Sequence, residues 1–216
     1  MTHLDELGPF FGVARHAASD HAITPWTPMS DLLADPGILT DRVARVRGAL
    51  AAGGPVEERV AASVTHLGLV ARIIAPAIAV EALGDPPISL RPDDIWWQDE
   101  LGGPYPLSVT AAEPGTDSGD SVVEALTHLV GDTFGVSART LWGNVASAAN
   151  SAAQLIAAAR PDLQEAARDA ADRLLADGRV EGGALRSGPT FRRRSCCLIY
   201  QVSGDRRSVC GDCVLT

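Results

Sequence analysis

Four thiols stand at Cys196, Cys197, Cys210 and Cys213, spaced C-C-x12-C-x2-C, and the chain holds no other cysteine. A Cys-x2-Cys step lets two thiolates close on one metal, because a tight turn brings both sulfurs to the same side. Gly211 supplies the backbone freedom for that turn. Between the pairs, Leu198 to Val202 reads as a strand, Ser203-Gly204-Asp205 as a turn and Ser208-Val209 as a return. The expectation is a hairpin that sets the Cys196-Cys197 end beside Cys210 and lets four sulfurs converge.

Several chemistries compete for such a set. A Cys196–Cys197 disulfide is strained, and bridges to Cys210 and Cys213 need an oxidising compartment. A thioredoxin-like reading of Cys210-Gly211-Asp212-Cys213 requires a helix start after a strand. Structural zinc commonly uses two separated Cys-x2-Cys knuckles. A Cys-Cys dipeptide cannot form one, since neighbouring side chains of an extended chain point to opposite faces. A two-iron cluster is a larger target with two metals to share. The donor set favours a [2Fe-2S] cluster, with zinc the other reading left open.

The stretch FRRRSCCLIY from Phe191 to Tyr200, with CGDC at Cys210–Cys213, resembles the C-terminal signature of the FhuF-like siderophore ferric reductases. The segment Ala138 to Ser147, which contains Trp142-Gly143-Asn144, is similar to another stretch of that family. The resemblance implies a [2Fe-2S] cluster on Cys196, Cys197, Cys210 and Cys213. It implies a ferric siderophore of hydroxamate type as electron acceptor. Hard oxygen donors grip Fe(III) far better than Fe(II), so one electron releases the metal. The chain shows no Gly-rich dinucleotide fingerprint after a strand, so a ferredoxin or an NAD(P)H-dependent reductase is expected to supply electrons. The alternative is a zinc- or cluster-stabilised interaction module without turnover.

Composition narrows the class. The net charge is −9, and all 18 basic residues are arginine. That balance argues against a nucleic-acid partner. Five arginines nevertheless flank the cysteines: Arg192, Arg193, Arg194, Arg206 and Arg207. They are expected to raise a nearby cluster's potential, or to dock a donor or chelate; the plainer reading is a solvated basic collar. Met1 to Phe10 has no apolar leader core, and Leu67 to Gly84 is interrupted by Arg72, Pro76 and Glu81. The expectation is a cytoplasmic protein without a membrane span.

The elements that must position the cysteines are mostly helical. Leu4 to Asp20 reads as a helix broken near Gly8-Pro9, and Thr24 to Pro28 as a loop. Ser30 is read as the cap of a short helix and Thr40 as the cap of a helix running to Ala52, with Asp35-Pro36-Gly37 a turn between them. Val56 to Leu83 carries the longest helical periodicity, which Pro76 should kink or split, and His66 within it reads as structural. Asp85 to Ala112 reads as short strands, with one of Trp96 and Trp97 in the core and the other exposed. Asp93, Asp94, Asp99 and Glu100 read as turn-solvating acids. Helices follow at Ser121–Phe134, at Ala138–Ala159 capped by Ser137, and from Pro161 to Ala176. The fold class is α+β and mainly helical, with one or two short antiparallel β-hairpins. Residues 1–190 form a helical domain with a β insertion near 88–111. Residues 191–216 form the cysteine module, packed on the helix carrying Trp142.

Overall fold

The computed structural model describes residues 4–112, 121–203 and 211–214. Its centre is α3, Glu58–Ala82, around which stand α2 (Pro36–Leu50), α4 (Val122–Phe134), α5 (Ala138–Ala159) and α6 (Gln164–Leu175). α3 is buried on nearly every side. Val60, Leu69, Val70, Ile73, Ile74, Ile78 and Val80 all lie in the core. Each such side chain contributes about 1.5–3 kcal/mol when removed from water. Pro76 sits inside α3 without splitting it. Against α3 and α6, α5 presents Ala146, Ala149, Ala152 and Ala153, and these small side chains let the helix axes approach closely.

α3 is also the one helix among the described residues long and apolar enough to cross a membrane, and 72% of its apolar window is buried inside the fold. The Arg72 charge that interrupts its pattern is buried at 3% exposure. Its guanidinium donates to the carbonyls of Tyr105 (2.9 Å), Phe10 (3.0 Å) and Gly12 (2.5 Å). One side chain thereby clamps the N-terminal segment and the β-hairpin connection to the central helix.

A small mixed sheet covers one end. Its strands are β1 (Ala14–Arg15), β2 (Thr27–Pro28), β3 (Ile95–Trp97) and β4 (Leu107–Val109), in the order β1-β4-β3-β2. β3 and β4 form the expected antiparallel hairpin, with Trp96 opposite Ser108. The other two strands differ from the sequence reading. Ala14–Arg15 lies parallel to β4 where a helix was expected, and Thr27–Pro28 pairs with β3 where a loop was expected. Two-residue strands on a sheet edge are held by their neighbour's backbone, so they leave almost no periodicity to read. Neither Trp96 nor Trp97 is exposed, at 9% and 1%. Trp96 is covered by His16, stacked at 3.6 Å, and Trp97 by Tyr105 and the Arg42 guanidinium. Asp99 holds Arg42 and Arg45, so it does more than solvate a turn.

The helix starts also shift. α1 is Met29–Ala34, and its N-cap is Pro28 rather than Ser30. Asp35 caps α2 by accepting from Gly37 N at 2.9 Å, with Pro36 in the first turn. Thr40 sits inside α2 and donates back to the Pro36 carbonyl. Ser137 caps α5 as expected, Ser121, read as the first residue of α4, is its N-cap, and Gly135 closes α4 in the left-handed conformation.

Arg72→Met should remove all three of its hydrogen bonds and leave buried carbonyls unpaired. The expected cost is about 3 kcal/mol or more in chemical denaturation. An unchanged midpoint would show that the clamp contributes nothing.

Candidate functional site: a cysteine tail pinned to the helical core

Phe191 inserts into the hydrophobic core, and from there the chain alternates. Arg192 and Arg194 point out; Arg193, Ser195 and Cys197 point in. Arg193 is 1% exposed. Its Nε donates to the Ser195 carbonyl (2.6 Å), and its Nη2 to Asn144 Oδ1 (3.0 Å) and the Thr140 carbonyl (3.2 Å). Asn144 in turn donates through Nδ2 to the Ser63 carbonyl (3.0 Å) and faces His66 Nδ1 at 3.4 Å. Ser63 Oγ donates to the Cys197 carbonyl at 2.9 Å. The other end of the tail closes on the same point. Arg193 N donates to the Asp212 carbonyl at 3.1 Å, and Ser147 Oγ donates to the Asp212 carboxylate.

This network accounts for the Trp142-Gly143-Asn144 segment. A Cβ on Gly143 would overlap the Ser195 hydroxyl and lie 2.8 Å from Arg193 Nη2. Only glycine lets the tail lie this close to α5. Asn144 bridges the Arg193 guanidinium to α3. Trp142 lies on the neighbouring face beneath the Arg179 guanidinium, 4.7 Å from its ring centroid.

His66 belongs to the same network as a neutral imidazole. Burial, and then the Arg193 charge, lower its pKa from 6.5 to about 3. Its Nε2 lies 3.1 Å from Thr127 Oγ1. The structural role read from the sequence fits these contacts.

From Leu198 to Ser203 the local structure departs from the expected strand. Leu198 takes φ 70, and Tyr200–Ser203 forms a helical turn, α7, in place of a strand. The β-prone residues Leu198 to Val202 have no partner strand among the described residues. Leu198 N instead donates to Cys196 Sγ at 3.3 Å, which turns the chain at once. Residues 204–210, and with them Cys210, Arg206 and Arg207, lie outside the described residues.

Cys197 and Cys213 are buried, and Cys196 is half-buried. Burial pushes the Cys196 thiol up, and Cys197 and Cys213 push it further, while the Leu198 N–H and the Arg193 charge pull it down. The described sulfurs therefore share one electrostatic neighbourhood, with a buried cation beside it. Among the described residues, no group of three His, Cys, Asp or Glu side chains is placed to hold a single metal ion.

The expectation that Arg193 docks a partner is corrected. A guanidinium at 1% exposure, spent on backbone and amide oxygens, cannot meet anything outside. Arg192 donates to its own neighbour's carbonyl at Phe191, and Arg194 remains exposed.

Residues 193–215 match the family model for the FhuF 2Fe-2S C-terminal domain. The tail is thus similar to a FhuF-type 2Fe-2S domain. No curated protein matches the chain. The cofactor of a FhuF-type tail is a [2Fe-2S] cluster, and the residues present fit it. The donors are thiols, two of them buried. Arg193 Nη1 is a buried donor without a hydrogen-bond partner, and no carboxylate pairs with this guanidinium among the described residues. An uncompensated buried cation is costly. A cluster carrying thiolates and sulfides supplies the missing negative charge.

Gly143→Ala should displace the tail and abolish iron and acid-labile sulfide retention while helical circular dichroism persists, since Ala favours helix. A full cluster complement in this variant would refute the close-approach account. His66 makes a separate mark on acid stability. Its folded pKa lies below the ordinary 6.5, so stability is complete above that value and falls as the pH drops toward about 3. Between pH 7 and pH 5 the loss is about 2 kcal/mol, and His66→Gln should remove that part of the slope.

Proposed function

We propose that this protein is a cytoplasmic ferric-siderophore reductase. It passes one electron to Fe(III) in a hydroxamate-type chelate and thereby releases Fe(II). The observation that carries the reading is the match of the tail to a 2Fe-2S domain, and the Cys196 thiol lies within the electrostatic reach of Cys197, Cys213 and the buried Arg193. Cys196, Cys197, Cys210 and Cys213 would hold the cluster. When bound, the cluster supplies reversible one-electron storage.

The surrounding residues do the rest. Arg193 holds a fixed positive charge that favours the more negative, reduced state and so raises the potential. Asn144, Ser63 and Ser147 lock the tail's backbone to α3 and α5, which limits rearrangement as charge is gained or lost. Cys196, half-buried, marks the side from which electrons enter and leave. The substrate needs no general acid or base; lowering the iron's charge weakens every hard oxygen donor at once. The electron donor is a separate ferredoxin or NAD(P)H-dependent reductase.

The test uses anaerobically purified holoprotein. After reduction with dithionite and removal of excess reductant, a ferric hydroxamate should restore the oxidised visible spectrum, and a ferrous-specific chelator should trap one Fe(II) per protein. Failure to pass electrons to any ferric chelate would return the protein to a passive, cluster-stabilised module. Cys213→Ser should lose the cluster. Arg193→Gln should lower the midpoint potential, and Arg193→Lys should keep it near the parent value. A potential indifferent to both would remove Arg193 from the proposal.

A further inference from the structure

Beside the tail opens a pocket of about 550 Å³, lined by Ala138, Arg139, Trp142, Arg179, Glu181 and Arg194. That volume is typical of small-molecule sites and too small for a protein-docking face. Its charges are not equivalent. Arg179 lies over the Trp142 ring, and its charge is met by Glu124 and Asp177. Among the described residues, Arg139 reaches the Arg194 carbonyl alone, at 3.0 Å, and the Arg194 side chain is exposed. Among the described residues, no carboxylate pairs with either the Arg139 or the Arg194 guanidinium. Glu181 adds a different demand. It takes φ 51, a conformation costly for a residue with a Cβ. Its Oε2 accepts from Arg194 N at 2.9 Å, while its Oε1 is buried without a partner. The pocket therefore presents two guanidinium groups that no carboxylate among the described residues neutralises, with Ala138 and Trp142 in its wall.

Resting on the ferric-siderophore reading, we propose that this pocket seats the chelate, and that Arg139 and Arg194 select a ferric hydroxamate bearing free carboxylates over a neutral tris-hydroxamate. Guanidinium forks match carboxylates in geometry and charge. The apolar arms of the chelate lie against the wall that Ala138 and Trp142 supply. Arg194 precedes Cys196 by two residues, so their backbones are at most about 7 Å apart. A chelate seated here is next to the cluster-bearing tail, which one-electron transfer requires.

Gallium(III) chelates separate binding from turnover, because Ga(III) mimics Fe(III) in size and charge but is not reduced. Titration calorimetry on the holoprotein should find the Ga(III) complex of a dihydroxamate whose arms carry free, uncoordinated carboxylates bound more tightly than a neutral Ga(III) tris-hydroxamate. Arg194→Gln removes a side chain with no hydrogen bond or ion pair among the described residues, and should weaken the carboxylate-bearing complex about tenfold and leave the neutral one unchanged. Arg139→Gln should do the same, and an unaltered cluster spectrum in both variants verifies the tail. Equal affinity for the two complexes, or parent-like binding in both variants, would overturn the pocket assignment. The reductase reading fails by a different route: a reduced protein that transfers no electron to the ferric form of either chelate, whatever the gallium titration shows.

Discussion

A positive charge removed from water needs either an anion or a dense set of oxygens around it, and Arg193 has mostly the latter. Its guanidinium is held by the Ser195 and Thr140 carbonyls and the Asn144 amide oxygen. It leaves Nη1 over. The arrangement makes sense once the thiol-bearing tail is counted as part of the same electrostatic unit. The cation organises the tail, and the tail's cluster completes the cation's surroundings. Gly143, Asn144, Ser63 and the neutral His66 are shaped by that exchange. Gly143 makes room, Asn144 and Ser63 relay the anchor to α3, and His66 stays uncharged because it is buried, with the Arg193 charge adding to the cost of protonation.

The helical body is accordingly a frame for the site as well as a core. α3 contributes Ser63 and His66; α5 contributes Thr140, Asn144 and Ser147. The small residues that let α5 lie close to α3 and α6 continue, at Gly143, into the gap where the tail is accepted. The β-sheet stands apart from this frame. Its link to α3 runs through Arg72 and Tyr105, which tie the sheet end to the central helix by hydrogen bonds to backbone carbonyls.

Much of this was legible in the residues. The cysteine spacing narrowed the chemistry to an iron–sulfur cluster or zinc, the family resemblance favoured the cluster, and the periodicity of α3, α4 and α5 placed the main helices. What escaped detection has physical reasons. The run Arg192-Arg193-Arg194 reads as one basic patch, yet extended backbone sends alternate side chains to opposite sides, so its middle member is interior. The alternation of Phe191, Arg193, Ser195 and Cys197 was the available signal. Leu198 to Val202 has the composition of a strand, but a strand needs a neighbour, and the cysteine-bound turn at Leu198 leads into α7 instead. Asp35-Pro36 carried an N-cap followed by a first-turn proline, which outweighs Thr40 as a helix start. Gly143 was visible as a residue, but its reason was not, because the clash it avoids is with atoms fifty positions away.

Because the anchors of the tail are scattered over two helices, the metal site is not portable. Copied onto another scaffold, the sequence from Arg193 onward would carry its sulfurs but lose the amide, the hydroxyls and the notch that orient them. Exchange between proteins would have to move a folded body together with its tail, and insertions that shift α5 along α3 would dismantle the redox centre without touching a single cysteine.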